Sequence, residues 1–351
     1  MNPDLTLPDI QPVFVVGHPR SGTTLVQLLL TAHPDFSSGP ETHFFIHVLA
    51  PFEGWENSKL SPAQLETVFK RLAGKPGIHL DAAFKAALRE QAGQGGIAPA
   101  HFLHRLMQYF AEQAGKASAR RWVEKTPRHV QYVPQILALF PQAQVINIVR
   151  DPRDVVSSPP RFYESHSVAY RRQVCIERAE SWNMMVGLSK TFEGDNRILT
   201  IRYEDIIADA EGSLLRMMHF LGEAYRPESL EHFAEHYDQV VLPQEEVRKS
   251  LLAVGEIVDR RGIWKRRMSE REARLVELIC EPLMREFGYD LTVCASLSER
   301  EKQALLRRER ASVALGYRLY TLSHRLRGIP RRIAAWPCRT LRRLKRPADA
   351  S

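Results

Sequence analysis

The sequence predicts an α/β protein built on a doubly wound, mainly parallel sheet. Two short runs of apolar, largely β-branched residues, 12–17 and 144–149, have the composition of buried parallel strands. Each run ends at turn-forming or anion-binding residue types, and the first is followed by a helix-compatible stretch at residues 21–32. Because strand, loop and helix units of this kind build parallel sheets with helices on both faces, we expect this fold class.

Length and composition set the domain organisation. The chain has 351 residues, of which 44% are hydrophobic, and this is enough for one α/β domain of roughly 250–300 residues and an appendage. We place the domain at residues 1–297, with a helical insertion at residues 51–119, and a basic helical extension at residues 298–351. Helices are expected to begin at Ser61-Pro62 and at the capping box Ser298 to Glu301, and to cover residues 99–114, 177–188, 210–221 and 270–287.

The loop after the first predicted strand reads Gly-His-Pro-Arg-Ser-Gly-Thr-Thr, from Gly17 to Thr24. Gly17 and Gly22 keep the spacing of a nucleotide-binding P-loop, but Thr23 stands where that loop has its lysine, and Arg20 places a cation inside the loop. A loop at a helix N-terminus directs backbone N–H groups and the helix dipole toward an anion. The P-loop lysine and its Mg²⁺ serve a triphosphate, and a ligand with a single 5′-phosphoryl group would need neither. The loop therefore predicts an anion site. A glycine-rich turn that binds nothing is the alternative.

A second group of polar residues follows the run at 144–149. Residues 150–158 read Arg-Asp-Pro-Arg-Asp-Val-Val-Ser-Ser. They lie at the carboxyl end of a predicted strand, where open α/β sheets bind their ligands. Pro159 follows Ser158 and is expected to move Ser158 out of the right-handed helical region. A charged turn with local ion pairs is the alternative interpretation.

On these segments the chain resembles the sulfotransferases that use 3′-phosphoadenosine 5′-phosphosulfate (PAPS). The resemblance is closer to the protein-tyrosine and bacterial branch than to the cytosolic small-molecule branch. It assigns the 3′-phosphate of the donor to Arg150 and Ser158, which keep the eight-residue spacing of the family. It assigns the 5′-phosphosulfate to five consecutive loop residues: Arg20, Ser21, Gly22, Thr23 and Thr24.

Two further segments resemble landmarks of the family. Arg-Arg-Gly-Ile-Trp-Lys at residues 260–265 matches a basic segment that closes over the 3′-phosphate, and this gives that role to Arg261 and Gly262. Arg-Tyr-Glu-Asp at residues 202–205 follows a strand-like run, and its Tyr203 would lie near the adenosine. Together the matches span residues 12–268 in the order of the family, which implies that residues 1–297 form a PAPS-dependent sulfotransferase domain.

The resemblance also proposes the catalytic groups. Glu41 resembles the general base of the protein-tyrosine branch, and Lys125 would stabilise the charge that develops on the leaving bisphosphate. The cytosolic branch uses the histidine of a Lys-Thr-His triplet, but Pro127 occupies that position here. His43 and His129 are reserve candidates for the base. A surface carboxylate and a solvated lysine are the alternatives for Glu41 and Lys125.

The implied reaction is transfer of the sulfuryl group of PAPS to an acceptor hydroxyl, or amine, giving 3′,5′-adenosine bisphosphate and a sulfated product. Tyrosine, sugar, lipid and small phenol or alcohol acceptors all stay open. One rival is a kinase-like phosphotransferase, which the absent loop lysine disfavours. Another is a non-enzymatic adaptor on a degenerate nucleotide fold. The insertion at residues 51–119 would build the acceptor side, with aromatic candidates for its pocket or for the core: Phe44, Phe45, Phe52, Trp55 and Phe102.

The donor is the only cofactor that we expect. Four cations are available for its charges, Arg20, Lys125, Arg150 and Arg261, and the four cysteines show neither close pairing nor zinc-ligand spacing. We therefore predict no metal. Few scattered cysteines and an N-terminus without a signal or anchor pattern favour a cytoplasmic location.

Positive charge is concentrated in the extension. The formal net charge is +8, yet residues 300–351 contain 15 Lys/Arg and 3 Asp/Glu, so the rest of the chain is slightly acidic. A basic segment with Trp336 and several leucines can lie on an anionic membrane surface, which would make the protein peripheral at a membrane. Packing of a helix on the domain or on another subunit is the alternative. Nucleic-acid binding is not expected, because no aromatic and basic recognition motif accompanies the arginines.

Overall fold

The computed structural model describes residues 5–7, 9–158, 167–233, 257–292 and 294–326. In this part of the chain one five-stranded sheet has the order β2-β3-β1-β4-β5, and its four strand pairs are all parallel. The strands are β1 Val13–Gly17, β2 Phe36–Ser38, β3 Arg121–Lys125, β4 Gln144–Val149 and β5 Ile198–Arg202. The predicted fold class is confirmed. The carboxyl ends of all five strands therefore meet at one edge of the sheet.

Helices connect the strands and follow the last one. Those before β4 are α1 Thr23–Thr31, α2 Pro62–Ala73, α3 Ala82–Gly93, α4 Pro99–Gln113 and α5 Val133–Leu139. Those after β4 are α6 Pro152–Ser157, α7 Val168–Lys190, α8 Tyr203–Ala208, α9 Ala210–Leu221, α10 Glu228–Glu231, α11 Trp264–Arg267, α12 Glu270–Glu286 and α13 Glu299–Leu326. A π-helix covers Phe44–Leu49, and 3₁₀ turns cover Trp55–Asn57 and Pro127–Tyr132.

The chain forms two compact units. The first comprises Met1–Ser158 and Ser181–Ile263, and the second comprises Pro159–Glu180 and Trp264–Ser351. The division into residues 1–297 and 298–351 stays a prediction.

The core of the first unit lies on both faces of the sheet. Phe14 and Val16 of β1 join one buried cluster, and Val13 and Val15 join another, because successive strand residues face opposite sides. Four of the five aromatic candidates, Phe44, Phe45, Trp55 and Phe102, belong to the first cluster, and Phe52 is partly buried against it. Phe44 stacks on Phe102 with a centroid distance of 5.7 Å, for example. These side chains are therefore core.

The helical insertion follows its local sequence signals. Ser61 caps α2 by accepting the N–H of Gln64, and the Gln64 side chain accepts the N–H of Ser61, which is a complete capping box. Helix α3 ends at Gly93, and an isolated antiparallel bridge joins Leu60 to Ile97 within the insertion. The predicted helix at residues 99–114 is confirmed as α4.

The second unit is helical where it is described. The predicted capping box at its last described helix is present, because Glu301 accepts the backbone N–H of Ser298 and the Ser298 hydroxyl accepts the backbone N–H of Glu301. Buried ion pairs join its helices: Arg172 with Glu309, and Lys302 with Glu281. No helix among the described residues is long and apolar enough to cross a membrane.

Candidate active site

The first loop predicted to bind an anion, Gly17 to Thr24, joins β1 to α1. Gly17 ends β1 at φ 144°, and a Cβ there would lie 2.4 Å from the carbonyl oxygen of Ile148 on β4, so only glycine fits. Gly22 caps α1 at φ 96° and supplies no side-chain cap. The first N–H groups of the helix thus need an acceptor from outside it. Beside them the Ser21 hydroxyl is buried with no hydrogen-bond partner among the described residues. The loop fits an anionic ligand that would accept from these groups.

The two segments predicted to bind anions meet directly. Arg20 adopts a left-handed conformation at φ 82°, and its Nε donates to the Ser158 hydroxyl at 2.6 Å. Ser158 itself has φ −68° and ψ −27°, so the expectation that Pro159 moves it out of the right-handed helical region is wrong. Its N–H donates to Val155 O at the end of α6, and this bond together with the Arg20 contact outweighs the local preference.

Arg150 contacts both the first loop and the segment that begins at Arg260. Its guanidinium donates to the carbonyl oxygens of Arg20, at 3.3 Å, and Arg260, at 2.7 Å. It also lies 4.2 Å from the centroid of the Tyr203 ring. Burial raises the pKa of the Tyr203 hydroxyl, which stays neutral. The Nε of Arg150 is buried without a hydrogen-bond partner in the described part of the chain, so the guanidinium can donate to a further acceptor.

The segment at residues 260–262 is joined to Arg150 through its backbone. The N–H of Gly262 donates to the Asp154 carboxylate at 2.8 Å, and that carboxylate lies 3.7 Å from Arg150. The Arg261 side chain instead pairs with Asp259 at 2.8 Å and is partly exposed. The structure therefore brings Gly262 to the site, whereas the Arg261 guanidinium binds a neighbouring carboxylate. Sequence reasoning missed Asp154, although its i, i+4 spacing from Arg150 was a usable signal.

Glu41 and Lys125 form an ion pair beside α1. Lys125 is the last residue of β3 and is buried; its Nζ donates to Glu41 Oε1 at 2.5 Å and to the Thr24 hydroxyl at 3.4 Å. Glu41 is about one-third exposed, at 32%, so its carboxylate can be reached from solvent. The two expected catalytic groups thus lie together next to the first anion-binding loop.

The reserve histidines occupy different environments. His43 Nε2 lies 3.4 Å from Glu41 Oε2, and burial, opposed by the Glu41 charge, lowers the pKa of His43 to about 4. His43 is therefore neutral at pH 7. His129 is fully buried and donates from Nδ1 to Glu124 Oε2 at 2.8 Å. A residue sealed in this way cannot reach an acceptor hydroxyl.

Among the described residues no group of three or more His, Cys, Asp or Glu side chains could hold a metal ion. The absence of a metal stays a prediction.

The fold resembles that of solved sulfotransferase domains. The sulfotransferase domain of the Synechococcus PCC 7002 olefin synthase aligns with a TM-score of 0.53 and 21% identity, over 83% of this chain and 99% of that one. At this level the likeness shows the fold alone.

The sequence is also similar to characterised enzymes. It is 29% identical over 297 residues to the omega-hydroxy-beta-dihydromenaquinone-9 sulfotransferase Stf3 of Mycobacterium tuberculosis, over 72% of this chain and 75% of that protein. It is 29% identical over 224 residues to protein-tyrosine sulfotransferase 2 of Gallus gallus, over 63% of this chain and 53% of that protein.

A family model described as the sulfotransferase family matches residues 12–227, which is more than half of the chain. With the relatives above, this match confirms the enzyme class that the sequence predicts, a PAPS-dependent sulfotransferase. The chain belongs to the sulfotransferase family.

Proposed function

We propose that this enzyme transfers the sulfuryl group of PAPS to an acceptor hydroxyl, with Glu41 as general base and Lys125 as the cation at the reacting centre. One observation carries the proposal. The Lys125 ammonium contacts both the Glu41 carboxylate and Thr24 in the first turn of α1. A candidate base, a cation and an anion-binding helix N-terminus thus share one point at the carboxyl edge of the sheet.

The donor would be held by hydrogen-bonding groups of the two loops and of the segments next to them. The buried Ser21 hydroxyl and the N–H groups at the start of α1 suit the 5′-phosphosulfate. Arg20 would join them at the 5′-phosphosulfate. Arg150 Nε and Ser158 suit the 3′-phosphate, and Tyr203 suits the adenosine. Gly262 would complete this end through its backbone. When bound, PAPS supplies a sulfuryl group on a phosphate leaving group.

Glu41 and Lys125 would have different roles in the transfer, one as a base and the other as a cation. The Glu41 carboxylate is open to solvent on one side, so it can accept the proton of an incoming hydroxyl. The buried Lys125 ammonium is held by two oxygen acceptors and can stabilise the negative charge that grows on the leaving phosphate. The ion pair with Lys125 holds the Glu41 carboxylate beside the first turn of α1.

A hydroxyl is the acceptor group that the relatives support. The mycobacterial relative is named for an omega-hydroxy dihydromenaquinone and the avian relative for protein tyrosine, and both offer a hydroxyl. We therefore favour a hydroxyl over an amine. Incubation with ³⁵S-labelled PAPS and a panel of phenols, primary alcohols, and lipid and carbohydrate extracts would identify the acceptor class from the labelled product.

Calorimetric titration tests the proposed donor. We expect 3′,5′-adenosine bisphosphate to bind in the presence of EDTA, and ATP with Mg²⁺ to bind far more weakly. Preference for ATP with Mg²⁺ would instead support a phosphotransferase. Failure of both ligands to bind would favour the adaptor interpretation.

We also propose that the basic extension at residues 298–351 contacts an anionic membrane surface from the cytoplasmic side. In α13 the side chains of Leu315 and Leu319 are 62% and 59% exposed, and they lie on one face of the helix at i, i+4 spacing. Exposed leucines next to arginines suit an interface between acyl chains and acidic headgroups.

A vesicle experiment tests this contact without removing the ion pairs of α13. We expect the full chain to sediment with vesicles that contain phosphatidylserine and not with phosphatidylcholine vesicles. Deletion of residues 327–351, or the double change Leu315→Ser and Leu319→Ser, should reduce sedimentation. Equal sedimentation of all variants would refute the membrane contact.

A further inference from the structure

A buried carboxylate lies directly behind the Glu41 and Lys125 pair. Glu124 precedes Lys125 on β3, and neighbouring strand residues face opposite sides of the sheet, so the two side chains diverge. Glu124 is only 1% exposed. A buried carboxylate is costly unless its oxygens accept hydrogen bonds, and this one accepts three. The donors to Glu124 are Thr42 Oγ1 at 2.7 Å, Thr126 Oγ1 at 2.7 Å and His129 Nδ1 at 2.8 Å.

Each of these three donors also accepts a backbone N–H group. The acceptor atoms belong to the three side chains that surround Glu124, and the N–H groups belong to three consecutive residues at the start of the π-helix. The pairs are His43 N–H to Thr126 Oγ1 at 3.3 Å, Phe44 N–H to Thr42 Oγ1 at 3.1 Å, and Phe45 N–H to His129 Nε2 at 3.4 Å. The first N–H groups of a helix have no partner within it, so this arrangement acts as its cap.

The direction of every hydrogen bond in this cluster follows from the carboxylate. Ionised Glu124 can only accept, so both hydroxyl hydrogens and the Nδ1 hydrogen of His129 point toward it. The lone pairs of the same groups are then left for the N–H groups of residues 43–45. His129 is consequently held as the tautomer with hydrogen on Nδ1.

This cluster forms hydrogen bonds with the backbone next to Glu41. Thr42 follows Glu41 directly, and His43 adopts a left-handed conformation at φ 49° that non-glycine residues rarely take. Such a conformation persists only when surrounding contacts determine it. Thr42 donates directly to Glu124, and the His43 N–H donates to Thr126, whose hydroxyl donates to Glu124. Glu124 is adjacent in sequence to Lys125.

We propose that Glu124 is a positioning residue for sulfuryl transfer: through Thr42, Thr126 and His129 it sets the placement of Glu41 against Lys125. The inference rests on the proposed function, because it gives Glu124 a role in the geometry of those two groups. Glu124 is buried and is not among the groups proposed to hold the donor or to take part in the transfer. Glu124 acts on the backbone next to Glu41, which hydrogen bonds through Thr42 and Thr126 join to the end of β3.

Glu124→Gln is the sharpest test. An amide of the same shape presents an NH₂ group to the cluster, so at least one of the three hydrogens that point at Glu124 loses its acceptor. We expect kcat with ³⁵S-labelled PAPS and the acceptor from the panel above to fall about tenfold or more, because small misplacements of catalytic groups are costly. The Kd for 3′,5′-adenosine bisphosphate should change less than about twofold, since its proposed ligands lie outside the cluster. Equal loss of affinity and turnover would indicate a general structural role and overturn the inference.

Two matched comparisons separate positioning from loss of stability. Glu277 in the second unit is also a buried carboxylate, and it accepts from the N–H and hydroxyl of Thr292 and from the N–H of Cys294. Glu277→Gln should lower the melting temperature without the selective fall in kcat. Within the cluster, Thr42→Val should slow turnover, and Thr42→Ser, which keeps the hydroxyl, should restore it. Full turnover in both Glu124→Gln and Thr42→Val would overturn the inference.

A structural measurement keeps the inference separate from the proposed function. If the unaltered protein binds no bisphosphate, the proposed function fails, whereas a crystal structure of Glu124→Gln still decides the positioning. We expect the Glu41 carboxylate to move away from Lys125 Nζ in that variant. An unchanged 2.5 Å ion pair and unchanged conformation at His43 would refute the role of Glu124.

Discussion

Gly22 and Tyr203 pack so closely that a Cβ at position 22 would lie 2.5 Å from Cδ2 of the Tyr203 ring. Tyr203 is buried and its ring carries the Arg150 guanidinium on one face, so the ring cannot yield easily. The cap of α1 and the start of α8 are thus fitted to each other across the sheet edge.

Gly22→Ala should disrupt this contact and the first anion-binding loop together. We expect a loss of about 1–3 kcal/mol of unfolding free energy from overpacking, beyond the cost of about 1–2 kcal/mol for alanine at positive φ. Gly54→Ala is a matched control, because Gly54 has φ 69° with open space where a Cβ would lie. Urea unfolding of both variants measures the difference, and equal losses would contradict the close fit at Gly22.

Glu41→Gln should slow sulfuryl transfer by about 10²-fold and leave affinity for 3′,5′-adenosine bisphosphate nearly intact, because an amide cannot accept the acceptor proton. Steady-state assays with labelled PAPS and calorimetry provide the two numbers. Glu66→Gln is the control, since Glu66 also pairs with a cation, Arg89, at 2.6 Å on the surface. Wild-type turnover in the Glu41 variant would remove Glu41 from the base role.

Arg150→Lys should weaken binding of 3′,5′-adenosine bisphosphate about 10- to 100-fold, because a lysine cannot reproduce the planar, multiply donating guanidinium. The loss should be much smaller for adenosine 5′-phosphate, which lacks the 3′-phosphate. Calorimetric titration of both ligands against both proteins tests this assignment. A similar loss for the two nucleotides would place Arg150 elsewhere on the donor.

The stability of the protein should decrease between about pH 4.5 and pH 2 through Glu124. Burial alone would raise the pKa of Glu124, but His129, Thr126 and Thr42 outweigh it and lower the pKa to about 2, from 4.5. A carboxyl with a depressed folded-state pKa stabilises the fold above its unfolded pKa, and this contribution, on the order of 3 kcal/mol, is lost as the pH falls through the folded pKa.

Urea unfolding at a series of pH values measures this linkage. Because Glu124→Gln cannot titrate at this position, its stability should depend less steeply on pH below 4.5 than that of the unaltered chain. Parallel curves for the two proteins would show that Glu124 has an ordinary pKa in the fold.

The elements that sequence reasoning located had strong local signals. Helix 62–73 follows the Ser61 cap, helix 99–113 begins at Pro99, and helix 210–221 follows the Asp209 cap; all three carry apolar faces. The strands at residues 13–17 and 144–149 are largely apolar runs. Strand β2 was missed because Phe36–Ser38 has three residues and no periodicity to detect. Its place is set by pairing with β3.

The sequence by itself determined the two segments predicted to bind anions, the glycine spacing and the set of cations, because these depend on local backbone and residue type. Tertiary structure decided which partner each charge receives: Lys125 pairs with Glu41, while Arg261 turns to Asp259. It also placed Thr42, Thr126 and His129 around Glu124. Such pairings follow from strand order and burial, which bring distant residues together, and no local pattern encodes those distances.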